Sequence, residues 1–206
     1  MNKKDNVLER FFIFGTAKNL KHLENSHCYA DGIFDVAPLL FLQVYTIHAL
    51  VLGRCLPMIY GVLSRKTQAM YESYLSILRN KISIPPKSVT SDFEKAFLNS
   101  VKIVFPLAIL LGCFFHFKQS MFRKLQELGL AIIYNNDEHI RKLLKLPQVL
   151  AYVPFADVPE LFKKLKSKLS SENSQVLKFY EYFEEFYIGN EITTTKGFAC
   201  IIVNLN

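Results

Sequence analysis

The sequence predicts a mixed α/β domain followed by a helical C-terminal part. Three extended segments, at about 27–34, 42–51 and 55–63, have connections short enough for an antiparallel meander. Beyond them, helical and extended patterns alternate, and from residue 116 the apolar spacing is helical throughout. Half of the 206 residues are hydrophobic, which is enough apolar mass for a core.

The alternating part contains two helices and two strands. A helix is predicted at 67–82, where tyrosines and leucines recur at helical spacing before a pair of prolines. The segment KSVTSD, 87–92, is the fourth strand, a helix begins at Phe93, and AILLGCFF, about 107–114, is the fifth strand. This order implies parallel pairing. The later helices are predicted at 116–128, 136–146, 157–169 and 174–188.

Three meandering strands, an alternating portion and a helical tail follow the order of the ribonuclease H-like fold. We therefore predict a mixed five-stranded sheet flanked by helices, with a C-terminal helical insertion and tail. In that fold, carboxylates at strand ends near the centre of the sheet perform the chemistry. Asp31 and Asp92 stand at two predicted strand ends. If the first and fourth strands are neighbours, these two carboxylates lie close together.

A pair of carboxylates in one cleft points to a divalent cation, because the two charges otherwise repel each other. Oxygen ligands favour Mg²⁺ or Mn²⁺, which can clamp the attacking and leaving oxygens of a phosphodiester. A third acidic ligand is expected from a later helix. The helix QVLKFYEYFEEFYIG offers Glu181, Glu184 and Glu185. Glu184 lies about 65° from the centre of the apolar stripe and is preferred, while the other two stay open.

Six segments, in order, carry a family resemblance: CYADGIFDVAP, LQVYTIHAL, LPMIYGVLSRKTQAMYESYL, VTSDFEKAFLNSVKIVFP, GCFFHFKQSMFRKLQELGL and YVPFADVPELFKKL. Together they resemble the transposase domain of Mutator-like elements, the MULE transposases, from about residue 27 to about 189. The resemblance implies a DDE-type core of ribonuclease H-like fold that cleaves DNA and transfers strands. It implies Asp31 and Asp92 as the first two metal ligands, and the segment YFEEFYIG matches the third at Glu184.

The resemblance also implies the partners and the domain boundaries. DNA, as transposon ends and target, is the expected partner, and a homo-oligomer is left open. The catalytic domain covers 27–189 with a helical insertion at about 116–173, after a lead-in at 1–26 and before a truncated or divergent tail at 190–206. The lead-in lacks the zinc-binding recognition module of the family, and the chain has no Trp. A catalytically inactive, transposon-derived module that binds DNA or protein is therefore the alternative.

Between the second aspartate and the glutamate the family carries a Cys-x-x-His motif, present as Cys113 and His116. We interpret this motif as part of the cleft wall. A zinc site would need a second pair of ligands, and none stands nearby at ligand spacing. The four cysteines, at 28, 55, 113 and 200, form no CxxC pair, which argues against a zinc ribbon and a disulfide scaffold.

The composition restricts the class of protein further. The net charge of +7 suits an anionic partner or ordinary surface charge, and the lysines at 163, 164, 166 and 168 are read as a solvated or a phosphate-contacting face. The apolar stretches 39–63 and 103–117 are too interrupted to span a bilayer, and no secretory leader is visible. We expect a soluble protein without a membrane partner, nuclear if DNA is the substrate and otherwise cytoplasmic.

Each candidate ligand also has an ordinary structural explanation. Asp31 followed by Gly32 could begin a turn, since Asp-Gly is a common turn pair. Asp92 could cap a helix that begins at Phe93. Glu184 could be a solvated acid on an amphipathic helix. These alternatives make different structural predictions, so the backbone around each residue decides between them.

Overall fold

The computed structural model describes residues 10–169, 173–188 and 201–202. The chain divides into two compact units, Met1–Leu111 and Gly112–Asn206. The first unit holds a mixed sheet and three helices, whereas the described part of the second is mainly helical. The mixed α/β class that the sequence predicts is therefore confirmed.

The first unit is built on a mixed sheet in which β2 and β5 pair in parallel, while the β1–β4, β4–β3 and β3–β2 pairs are antiparallel. The strand order is β1-β4-β3-β2-β5-β6. The elements are β1 (Phe11–Phe14), α1 (Ala17–Lys21), β2 (His27–Ile33), β3 (Gln43–Val51), β4 (Arg54–Leu63), α2 (Gln68–Arg79), β5 (Ser88–Ser91), α3 (Lys95–Val104) and β6 (Ile109–Cys113), which begins in this unit.

The predicted meander of β2, β3 and β4 is confirmed. Val51 pairs with Arg54, which leaves Leu52 and Gly53 as a two-residue hairpin loop. Both have positive φ, 49° and 75°, as a type I′ turn requires. Pro57 of β4 pairs with His48, next to the register shift between Ile47 and His48 of β3. A sheet tolerates the missing N–H of proline at such an irregularity.

The core of the first unit forms where buried residues of β2, β3 and β4 pack with those of α2 and α3. At its centre Tyr45, Tyr71 and Phe97 are fully buried, and their ring centroids lie 4.8 to 5.3 Å apart. Helix α2 begins where the Thr67 hydroxyl accepts the Met70 N–H at 3.2 Å. The core therefore fixes α2 and α3 against the face of the sheet that carries Tyr45.

Among its described residues, the first unit has a sheet of six strands rather than the predicted five, because β1 precedes the meander. The sequence pattern places Phe11–Phe14 in the lead-in, since four residues give too short an alternation to predict a strand. Its strand character comes from pairing with Tyr60–Leu63 of β4, far along the chain. Helix α3 begins at Lys95 rather than at Phe93, and α2 ends at Arg79, well before the prolines.

In the second unit, described residues form five α-helices and a final π-helical turn at Glu184–Ile188. Phe162 stacks on Tyr180 and Phe183 in its core, with centroids 6.0 and 5.5 Å apart. The short strand β7 (Ile201–Ile202) pairs in parallel with Gly112 and Cys113; the rest of the predicted 190–206 tail lies outside the described residues. The helices are α4 (Phe114–Glu127), α5 (Ala131–Asn136), α6 (Glu138–Val149), α7 (Val158–Lys166) and α8 (Ser174–Phe183).

None of the helices within the described ranges has the length and apolar character needed to cross a bilayer.

Candidate active site

Asp31 lies in β2, and Asp92 directly follows β5, the strand that pairs with β2 in parallel. Strands β2 and β5 pair in parallel with a constant offset of 61 residues, from His27 with Ser88 to Tyr29 with Thr90. Asp31 and Asp92 are related by the same offset, two positions beyond the last registered pair. The prediction that the first and fourth predicted strands are neighbours is thus confirmed.

Asp31 lies within β2 and is exposed. It pairs with Thr46 of β3, whose hydroxyl donates to the Asp31 carbonyl at 3.3 Å. Its Oδ1 accepts the N–H of Gly32 at 2.9 Å. The strand continues to Ile33, so Asp31 lies inside β2 rather than at a strand end as predicted. Asp31 and Gly32 also do not start a turn, and the turn explanation for this aspartate is wrong.

Asp92 follows the last residue of β5 and is half-buried. Its Oδ1 accepts the N–H of Glu94 at 3.3 Å, which is the pattern of an Asx turn. Helix α3 begins at Lys95 with Glu94 as its N-cap, so Asp92 does not cap a helix that begins at Phe93. The carboxylate instead belongs to a turn between the strand and the helix.

Neither aspartate has a basic partner among the described residues. Across the ranges that the structure describes, no salt bridge involves Asp31 or Asp92, whereas Glu94 pairs with Lys66 and Glu184 pairs with Lys166. Carboxylate oxygens are the ligands that Mg²⁺ and Mn²⁺ prefer, so both side chains have the chemistry of ligands for such a cation.

Tyr45 of β3 is a buried core residue on which the charge of Asp92 acts. It is the cross-strand partner of Gly32, the residue after Asp31. Burial raises the pKa of Tyr45 well above its ordinary value, and the negative charge of Asp92 raises it further. Tyr45 therefore keeps its proton and stays neutral in the core.

Glu94 is a polar residue of this region that the sequence pattern does not single out. Its carboxylate accepts from the Tyr71 hydroxyl at 3.1 Å and pairs with Lys66 at 3.0 Å. Tyr71 in turn accepts from the buried Gln43 amide at 2.7 Å. The only signal in the sequence is an acid two positions after Asp92, at the start of a predicted helix.

Glu184 belongs to the second unit, where it begins the π-helical turn that follows α8. Its Oε2 is in an ion pair with Lys166 of α7. Glu181 and Glu185, the open alternatives, are both exposed. Of the predicted lysine face, Lys164 pairs with Glu160 at 2.7 Å. Lys166 and Lys164 thus each have an acidic partner within the second unit.

Cys113 and His116 also lie in the second unit, at the end of β6 and in the first turn of α4. Cys113 is a free thiol. The Nδ1 atom of His116 is buried and has no hydrogen-bond partner in the described structure. Within the described ranges no three His, Cys, Asp or Glu side chains form a group that could hold a metal ion.

Residues 37–120 match the family model of the MULE transposase domain. The match confirms, for these residues, the resemblance predicted from the sequence, and it indicates a transposase-related protein. The MULE segment contains Asp92, Glu94 and both residues of the Cys-x-x-His motif, while Asp31 and Glu184 lie outside it. It covers less than half of the chain. The comparison with curated proteins finds no match.

Gly32, next to Asp31 in β2, has no room for a side chain. A Cβ at Gly32 would lie 2.5 Å from Gln43 Oε1 and 3.2 Å from Tyr45 Cδ2. We expect Gly32→Ala to displace the buried Gln43 and to lower the free energy of unfolding by about 1–3 kcal/mol. Amide hydrogen exchange across β2 and β3 measures this change. The control is Gly53→Asn in the hairpin loop, where the space is open and Asn tolerates positive φ.

Proposed function

We propose that this chain is the core of a DDE-type transposase of ribonuclease H-like fold. The observation that carries the proposal is the parallel pairing of β2, which holds Asp31, with β5, which Asp92 directly follows, both aspartates being without a basic partner among the described residues. The MULE match over residues 37–120 supports the same class. The substrate is DNA, as transposon ends and as target, and nuclear residence follows from that substrate.

In this proposal Asp31 and Asp92 hold a Mg²⁺ or Mn²⁺ ion through their carboxylate oxygens, and Glu184 supplies the third acidic ligand. The bound ion supplies charge stabilisation to the attacking and leaving oxygens of the phosphodiester. Because Lys166 is the present partner of Glu184, that ion pair has to open before Glu184 can act as a ligand. Cys113 and His116 contribute to the cleft wall rather than to metal binding.

A cleavage assay with the purified full chain tests the proposal. We expect supercoiled DNA to be nicked in Mg²⁺ or Mn²⁺ and to stay intact in EDTA, because the carboxylates act only through the cation. No nicking in either metal contradicts the enzymatic proposal. In that case a salt titration of DNA binding separates a DNA-binding module from a chain that binds no DNA, since phosphate contacts weaken with salt.

A further inference from the structure

The carboxylate of Glu94 is held by two different donors. The Tyr71 hydroxyl of α2 donates to Oε1 at 3.1 Å, and the Lys66 ammonium lies 3.0 Å from Oε2. Only 16% of the Glu94 side chain is exposed. Both oxygens are therefore engaged at a largely buried position, which fixes the side chain more strongly than a solvent-exposed ion pair would.

The donors to Glu94 are themselves anchored. Gln43 is fully buried on β3, and its amide donates to the Tyr71 hydroxyl at 2.7 Å. Burial raises the pKa of Tyr71, so its hydroxyl stays protonated. The hydroxyl can therefore accept from Gln43 and donate to Glu94 at the same time. The Lys66 ammonium also lies 4.6 Å from the ring centroid of Phe34, just past β2. Glu94 is thereby connected to β3, to α2 and to the segment after Asp31.

This anchoring reaches Asp92 through the backbone. Glu94 is extended, with φ −70° and ψ 107°, and it is the last residue before α3. Its N–H donates to Asp92 Oδ1 at 3.3 Å. Because this hydrogen bond is long, it does not hold the turn alone. The side-chain contacts of Glu94 supply the constraint that the backbone contact lacks.

We propose that Glu94 is a positioning residue: anchored by Tyr71 and Lys66, it fixes the turn after β5 so that the Asp92 carboxylate keeps one orientation for binding a divalent cation with Asp31. This inference rests on the proposed function. Glu94 does not act as a ligand in it, since both of its oxygens already have donors. Removing a residue that orients a metal ligand typically weakens metal affinity by about 10–100-fold.

Mn²⁺ titration calorimetry on the full chain tests the inference without any cleavage step. At a temperature where circular dichroism shows each protein folded, we expect Glu94→Ala to weaken Mn²⁺ binding by about 10-fold or more. Tyr71→Phe, which keeps the ring and removes the donor, weakens it in the same direction. Glu94→Gln keeps an acceptor for Tyr71 and falls between the wild type and Glu94→Ala.

The matched control is Glu72→Ala on α2, which also removes a half-buried carboxylate. In the described contacts, Glu72 accepts a hydrogen bond only from Gln68. It should leave Mn²⁺ affinity unchanged, which separates positioning from a general loss of negative charge. Wild-type affinity in folded Glu94→Ala overturns the inference.

A second readout separates this inference from the proposed function. If the wild type binds no Mn²⁺, the proposed metal site fails, and amide hydrogen exchange then decides the positioning role. The Glu94 N–H should exchange about 10-fold faster in Tyr71→Phe than in the wild type, because the turn loosens. Equal exchange rates show that Tyr71 does not fix the turn, and they overturn the inference.

Discussion

Asp92→Asn is expected to lower the rate of Mg²⁺-dependent DNA nicking by at least about 100-fold. Loss of a residue that only supports a metal ligand costs up to about 100-fold, and loss of a ligand's charge should cost no less. Asn has the same shape and keeps an oxygen for the Glu94 N–H, so the turn after β5 is preserved. What is lost is one of two negative charges that the described structure leaves without a basic partner. The measurement is the initial rate of nicking at saturating Mg²⁺.

Two further variants make the result specific. Asp31→Asn should cause a loss of similar size, and the double variant should lose little more, because residues that act as a unit are not additive. Asp35→Asn is the matched control: it removes an exposed carboxylate just past β2 and should nick at the wild-type rate. If Asp92→Asn nicks DNA as fast as Asp35→Asn, then Asp92 does not take part in the chemistry.

The neighbouring positions of Asp31 and Asp92 could be predicted in outline, because strand order follows from the alternation of extended and helical segments. The register could not be predicted. It depends on which residues of β2 and β5 pair, and a slip of one residue would turn every side chain of a strand to the opposite face of the sheet. The structure fixes it through contacts such as the 2.8 Å bond between His27 and Ser88, 61 residues apart.

Glu94 was missed because its importance comes from residues that are distant in sequence. Tyr71 and Lys66 lie more than twenty positions before it, and Gln43 lies farther still. The sequence pattern predicts Tyr71 only as an apolar position of a helix. That its hydroxyl is a buried donor depends on the packing of α2 against β3, which periodicity does not report.

The orientation of Glu184 could not be predicted from the sequence for a different reason. Its angle to the apolar stripe was calculated for a regular α-helix across 174–188. In the structure α8 ends at Phe183, and Glu184–Ile188 form a π-helical turn with a different number of residues per turn. The calculated angle therefore does not apply to Glu184. The ion pair with Lys166 also could not be predicted, because it joins two helices across a segment without a recognisable pattern.

The largest effect on stability is expected at Phe97, where α3 meets the core. Phe97 is fully buried, and its ring lies 4.8 Å from that of Tyr45 and 5.3 Å from that of Tyr71. Phe97→Ala should lower the free energy of unfolding of the first unit by about 3–5 kcal/mol, from lost burial and the cavity left behind. The control is Ile103→Ala on the exposed side of α3, expected to stay within about 0.5 kcal/mol.

Hydrogen exchange of the β3 and α3 amides is the suitable measurement, because a chain with two compact units need not unfold in one step. Phe97→Leu should recover most of the loss, since it restores much of the volume. A loss below about 1 kcal/mol in Phe97→Ala would mean that the site collapses without a cavity. Phe97 contacts the ring of Tyr71, so a full loss would also release the donor that holds Glu94, and stability and metal affinity should fall together in this variant.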